Sequence, residues 1–351
     1  MKYKILVLDE LKKVQCVQLC NQNNCEVHLL SIGASVYRIL LPQKGGGHSN
    51  IILTLRDYED YFSSTCYAGA TLAPNAGRIE NGKFFMSGRE ITLSQNDGKH
   101  NSHGGYRNLS RQNWELAEIE EKKEQISVLF RAELEDGIDG FPGNRKMQVR
   151  YLFDEQDNLT IEYSAVSDME TYINMSNHCY FNLSGDPKQP ILNHRLRIAA
   201  DYYRENTPEH IVAAKRAVKG TCFDFRNEMT LEENMKRVSD GDEQLSYANG
   251  YNHTFLLNEP IGRERFAAEL FEEKTCRRIK LYTTAPALVV YSGGFLGKDI
   301  LLEGGNRACD SCGIALEAQE CPNAPNCGEH LRFLQKGEKW SSRIRFVFKE
   351  V

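Results

Sequence analysis

Hydrophobic residues in this chain recur at every second position more often than at helical spacing, and that period limits what the chain can fold into. Leu159, Ile161, Tyr163 and Ala165 alternate with Thr160, Glu162 and Ser164. Ile344, Phe346 and Phe348 alternate with Arg343, Arg345 and Lys349, with Val347 on the outer face, and Ile126, Val128 and Phe130 repeat the pattern less cleanly. Side chains on a strand point to alternate faces, so each stretch predicts a half-buried strand. Ala287–Tyr291 (ALVVY) is apolar throughout and predicts a strand covered on both sides. Turn residues close these runs at short intervals: Gly45-Gly46-Gly47, Asn81-Gly82, Asp136-Gly137, Pro142-Gly143, Asn249-Gly250 and Gly304-Gly305. Helical signals are few; the best is Leu231–Val238, with Thr230 as its N-cap. No linker, repeat or low-complexity tract divides the chain. The expectation is an all-β protein: one large antiparallel β-sandwich domain over residues 1–351, with few short helices.

Composition removes several function classes. The net charge of −5 leaves no basic footprint for nucleic acid. The densest charge run, Glu118–Glu124, reads as a solvated turn or strand edge. No window approaches the ~18 consecutive apolar residues of a membrane span. The start, MKYKILVLDELKK, has neither signal-peptide nor transit-peptide character. Eleven cysteines, an odd number scattered along the chain, predict a reduced, cytoplasmic protein with free thiols. Cys309, Cys312, Cys321 and Cys327 cluster in sequence, and Cys309–Cys312 is a CxxC pair. Cys321 and Cys327 are spaced too widely to complete a zinc ribbon, so core and loop thiols are expected rather than a metal site. There is no phosphate-binding GxxxxGK[ST], no strand–GxGxxG–helix unit, no HExxH and no Gly-x-Ser-x-Gly elbow.

The residues that suit chemistry lie elsewhere. Ile314–Cys327 (IALEAQECPNAPNC) places Glu317 and Glu320 where an apolar run becomes a turn, and Pro322 and Pro325 forbid a continued helix or central strand. A carboxylate at the end of a buried strand, held by a stiff loop, suits a proton-transfer base. His103 precedes Gly104 and Gly105, which let the backbone turn sharply towards a ligand. His178 sits in a polar pair before an apolar run, where Asn177 and Asn182 are placed to orient its ring; the plainer reading is a buried, satisfied histidine. Arg78 offers a fork of donors for two oxygens of a polyhydroxylated ligand, or for a structural carboxylate. Asn252 and His253 precede the strand-like Phe255–Leu257 and suit ligand hydrogen bonds, or a turn.

Together these segments resemble the aldose 1-epimerases, or galactose mutarotases. The matching segments keep the family's order: GRIENGKF at Gly77–Phe84, NSHGG at Asn101–Gly105, DGIDGFPGN at Asp136–Asn144 and SNHCYFNLSGD at Ser176–Asp186. FDFR at Phe223–Arg226, GYNHTFLLN at Gly250–Asn258, PALVVYSGGFL at Pro286–Leu296 and ALEAQECPNAPN at Ala315–Asn326 follow. The resemblance implies a sugar-binding groove and a cofactor-free, metal-free interconversion of the α and β anomers of a free aldose, by a monomer or homodimer. It places the base on Glu317 and the acid on His178, with His103, Arg78 and Asn252 binding substrate. The chain departs from the family at Asn252, commonly Asp, at Gly77 and Gly294, usually Asn, and at Ser102, usually Leu. The Thr207–Thr221 stretch lacks the family's PTG step. The same scaffold without catalysis, as a sugar sensor, is a second expectation. A sugar-phosphate epimerase is a third, for which Lys83 and Arg107 would have to join Arg78.

Overall fold

The computed structural model describes residues 1–43, 45–237 and 242–350, and among them the chain is mostly antiparallel strand with three short helices. A nine-stranded sheet runs in the spatial order Glu115–Lys122, Gln125–Leu134, Arg145–Asp154, Asn158–Ser167, Lys339–Glu350, Arg277–Thr283, Arg265–Glu272, Arg195–Ile198 and Met229–Thr230. A six-stranded sheet orders Tyr180–Phe181, Ile314–Gln319, Ala287–Tyr291, Asn252–Leu256, Tyr202–Asn206 and Val212–Ala217. A five-stranded meander covers residues 2–50.

The period-two pattern does what it predicts. Leu159, Ile161 and Tyr163 from the large sheet share one core with Phe255, Leu288, Val290, Leu316 and Ala318 from the six-stranded sheet, and with Val17, Leu19, Val27 and Leu29 from the meander. This is a sandwich, with the apolar faces of the sheets turned inward. The acidic run Glu118–Glu124 falls at the exposed edge of the large sheet and the turn that follows it, where charge blunts a free strand edge. The expected helix forms over Leu231–Met235. Thr230 accepts from the Glu233 N–H and Glu233 accepts from the Thr230 N–H, a reciprocal cap. Val238, the expected end of that helix, lies outside the described residues.

Candidate active site

The continuous apolar run Ala287–Tyr291 is covered by packed chain on one side and only in part on the other. Leu288 and Val290 face the core, while Val289 and Tyr291 face a cavity of about 670 Å³. Register carries that cavity face across the sheet: Glu317 pairs with Val289, and Val289 with Thr254. One residue-pair further along, Tyr291 pairs with Asn252. Glu317, Thr254 and Asn252 therefore line the same space. His178, Arg78 and His103 reach it from segments outside the sheet, so all five expected site residues converge on one cavity.

Glu317 and His178 lie on its floor, 3% and 5% exposed, with His178 Nε2 3.6 Å from Glu317 Oε1. Burial pushes the Glu317 carboxyl up to about 8, against the opposing pull of the Arg78 charge. Burial also pushes the His178 imidazole down to about 4. Both shifts disfavour charge in a dry site.

The supports of this pair differ from the sequence expectation. Asn177 and Asn182 do not orient the His178 ring. Asn177 Nδ2 donates to the Gly69 carbonyl and its Oδ1 accepts from the Cys179 N–H, while Asn182 Nδ2 donates to the carbonyls of Asp186, Gln189 and Cys312. Asn177 is His178's immediate neighbour in extended chain, so its side chain takes the other face. The ring is instead flanked by Tyr180, at 4.8 Å between centroids, with His103 at 5.8 Å and Tyr67 at 6.3 Å. Its Nδ1 has no partner among the described residues. Glu317 is steadied by Gln319 Nε2, 3.4 Å from Oε2. Gln319 Oε1 in turn accepts from Asn174 Nδ2, and Asn174 Oδ1 accepts the Glu320 N–H. Pro322 lines the cavity, and Pro325 sits in the first turn of the helix Ala324–Cys327, a position that tolerates proline. Glu320 lies outside the cavity that holds Glu317, and burial pushes its carboxyl up to about 7.

His103 is clamped by one residue. Gly77 N–H donates to its Nδ1, and its own N–H donates to the Gly77 carbonyl. An accepting Nδ1 leaves the proton on Nε2 in the neutral ring, so the other nitrogen is the donor. Burial, with the charges of His178, Arg78 and Arg111, holds this ring well below the ordinary imidazole value and so neutral. The turn after it depends on a second motif. A Cβ on Gly105 would lie 2.3 Å from Asp139 Cγ. Asp139, from DGIDGFPGN, accepts from Tyr106 N–H, Arg107 N–H and the Ser94 hydroxyl. Asp139→Ala leaves these donors without their acceptor. It should lower stability by about 2–3 kcal/mol in thermal or denaturant unfolding and disturb His103 as well.

Arg78 makes the carboxylate pair of its structural reading, with Nε 2.7 Å from Asp97, and its side chain also lines the cavity. Asn252 also lines it, and its carbonyl accepts from Asn206 Nδ2. His253 faces away, buried beside Phe223 at 4.6 Å between ring centroids. The family departure at Gly294 has a steric cause, because a Cβ there would lie 2.2 Å from the Ala248 carbonyl oxygen. Sequence reasoning missed Asp97, Asn174 and the cavity-lining Arg111 and His210. Gln319 stood inside the quoted motif without a role.

The four clustered cysteines separate. Cys309 and Cys312 belong with Leu53, Tyr180 and Leu296, whereas Cys321 and Cys327 belong with Ile79, Phe84 and Tyr172. Among the described residues no group of three or more His, Cys, Asp or Glu side chains is arranged to hold a metal.

A buried carboxyl–imidazole pair thus stands on the floor of a cavity in an antiparallel sandwich. The family model for aldose 1-epimerase matches residues 15–347. The chain is 32% identical to the aldose 1-epimerase of Escherichia coli (strain K12), over 94% of each chain. It is 29% identical to the galactose mutarotase of Rattus norvegicus, over 92% of this chain and 90% of that one. The solved galactose 1-epimerase from Lactobacillus acidophilus NCFM superposes with a TM-score of 0.86 at 29% identity, over 100% of this chain and 99% of that one. The chain belongs to the aldose 1-epimerase family, an isomerase family.

Proposed function

We infer that this protein interconverts the α and β anomers of a free aldose by acid–base ring opening and reclosure. The observation that carries the reading is the buried Glu317–His178 pair, 3.6 Å apart on the floor of a cavity of about 670 Å³. In the opening direction Glu317 takes the C1 hydroxyl proton while His178 gives one to the ring oxygen. The C5–hydroxyl and the C1 aldehyde are then free of each other, and the C1–C2 bond rotates. Reclosure on the other face returns both protons: Glu317 gives one to the former carbonyl oxygen, and His178 takes one from the C5 hydroxyl. The pair holds one proton throughout. Burial favours the neutral form, with the proton on Glu317, and this is the form that recloses the ring. The form that opens it has the proton on His178. His103, through Nε2–H, and Arg78 hold sugar oxygens and stabilise charge developing on them.

No metal or nucleotide enters this reaction. Among the described residues no helix is long and apolar enough to cross a membrane. The free thiols support a cytoplasmic protein. Residues 1–351 are read as one domain, active as a monomer or homodimer, since a single chain supplies both members of the pair. The sugar-phosphate reading loses two of its supports, because Lys83 pairs with Glu90 and neither Lys83 nor Arg107 lines the cavity.

The direct test is anomer exchange of freshly dissolved α-D-galactose and α-D-glucose, followed by NMR or polarimetry above the uncatalysed rate. Sugar binding without acceleration for any free aldose would replace this reading with the sensor. Asn252 tunes affinity. An amide makes a weaker hydrogen bond to a hydroxyl than a carboxylate does. Asn252→Asp should lower KM for free hexoses about fivefold, worth about 1 kcal/mol, with kcat nearly unchanged; an unchanged KM would exclude Asn252 from substrate contact.

A further inference from the structure

Two of the free thiols meet beside the segment that holds Arg78 and clamps His103. The strand Ile314–Gln319, which carries Glu317, ends two residues before Cys321, and the chain then turns through the short helix Ala324–Cys327. The turn closes on itself: the Ala324 N–H donates to the Cys321 carbonyl at 3.1 Å, and the Cys327 N–H to the Asn323 carbonyl at 3.0 Å. This brings Cys327 Sγ to 3.9 Å from the carbonyl oxygen of Pro322, the residue after Cys321. Both thiols pack in one apolar cluster with Ile79, Phe84 and Tyr172, and the Cys321 thiol donates to the Cys327 sulfur.

The two differ as the two steps of thiol oxidation require. Cys327 is half-buried and Cys321 is fully buried. The hydrogen bond from Cys321, with the Glu329 N–H and the Arg204 charge, holds the Cys327 thiol below its ordinary value, against burial and the Glu329 carboxylate. A partly exposed thiolate is the nucleophile towards an oxidant, and a thiol in contact with it resolves the product. Cys309 and Cys312 also meet, with the Cys309 N–H donating to Cys312 Sγ at 3.3 Å, but burial pushes the Cys312 thiol up to about 12. The Cys321–Cys327 turn is bound to the substrate side of the cavity at three points. A Cβ on Gly77 would lie 2.9 Å from Pro322 Cβ, Asn323 Oδ1 accepts the Glu80 N–H, and Asn326 Nδ2 donates to the Lys83 carbonyl.

We propose that Cys321 and Cys327 are a redox pair, oxidised by a peroxide to a disulfide that weakens sugar binding. The Cys327 thiolate attacks one peroxide oxygen; the O–O bond breaks, leaving a sulfenic acid and a hydroxide that takes a proton from solvent. The Cys321 sulfur then attacks the sulfenic sulfur. The S–S bond forms, the S–O bond breaks, and the hydroxyl leaves as water with the Cys321 proton, so two electrons pass from the two sulfurs to the peroxide. A covalent S–S bond is shorter than the contact it replaces, so the turn tightens and pulls on Gly77–Lys83, while Glu317 keeps its strand pairing with Val289. The effect on binding rests on the epimerase reading above; the disulfide does not. The test treats the purified full chain with hydrogen peroxide and maps its cysteines by peptide mass spectrometry. Anomer exchange of D-galactose is measured before treatment, after it, and again after dithiothreitol. The expected result is a Cys321–Cys327 link, KM raised about threefold or more, kcat changed by less than about twofold, and recovery with dithiothreitol. Cys327→Ser should form no such link and keep its KM under peroxide. A Cys309–Cys312 link in its place, or a Cys321–Cys327 link with unchanged KM, would overturn the proposal and leave the epimerase standing. A protein that forms the link but exchanges no aldose before treatment would overturn the epimerase reading and the effect on KM with it.

Discussion

Replacing Glu317 by glutamine should lower kcat for anomer exchange about 10³-fold, with KM changed only a few-fold. Glutamine keeps the shape of the side chain and removes its capacity to take a proton. His178→Asn should fall by a similar factor. The double variant should be no slower than the worse single one, because the two groups act as one proton-transfer unit. Stability should move the other way. In the folded protein burial raises the Glu317 carboxyl from 4.5 to about 8, so the native state holds this proton more tightly than the unfolded chain. That contribution to stability is complete below about pH 4.5 and is lost as pH rises towards 8. Glu317→Gln escapes this loss. It should unfold at a higher temperature than wild type at pH 8, by on the order of a few kcal/mol, with a much smaller difference at pH 5. A variant that retains more than a tenth of the wild-type rate would remove Glu317 from the chemistry.

This opposition between activity and stability also explains why the site was partly legible in the sequence. Glu317 follows the apolar run Ile314–Leu316 inside a buried strand, a local inconsistency of the kind that marks function. His103 was legible through its two glycines. The fold followed from the alternation at 159–165 and 344–348, because that period leaves few options for a chain this long. What was not legible was partnership across distance. Asn174 supports Glu317 through Gln319 across some 145 positions, and nothing in the local sequence of either residue names the other. Asp97 meets Arg78 from a loop tied to Ser102 by both hydrogen bonds of the Asn96 side chain. The misreading of Asn177 has the same origin. Neighbours in sequence suggest proximity, but in extended chain they point apart, and the His178 ring is flanked by Tyr67, Tyr180 and His103 instead.

Three of the motifs that carry the family resemblance are also joined physically. NSHGG places His103, GRIENGKF supplies the Gly77 backbone that clamps it, and DGIDGFPGN supplies the Asp139 carboxylate that holds the turn after it. A change in one of them is therefore transmitted to the same imidazole. Glu317 and His178 come from other segments, the sheet and the stretch before Tyr180–Phe181, and meet this unit where the His103 and His178 rings lie 5.8 Å apart. Binding and chemistry in this protein should separate under mutation. Variants at Asp139 act chiefly through stability and substrate positioning, whereas variants at Glu317 act through kcat.

The pH dependence of kcat/KM tests the electrostatics of the pair directly. In the proposed mechanism anomerisation needs one proton shared between Glu317 and His178, because with none there is no acid and with two there is no base. Burial raises the carboxyl to about 8 and lowers the imidazole to about 4. The one-proton form then spans about pH 4 to 8. Activity should rise through the lower value, stay level, and fall only above the upper one. The profile reports the proton count of the pair, whichever member holds the proton. A solvated glutamate and histidine with their ordinary values of 4.5 and 6.5 would be competent only between those limits. They would lose activity about tenfold by pH 7.5. Measuring exchange from pH 4 to 9, with the uncatalysed rate subtracted at each point, separates the two cases. About three quarters of the plateau activity at pH 7.5 is the expected result; a roughly fivefold decline between pH 6.5 and 7.5 would mean that the floor of the cavity is wet and that burial does not set the acid–base balance.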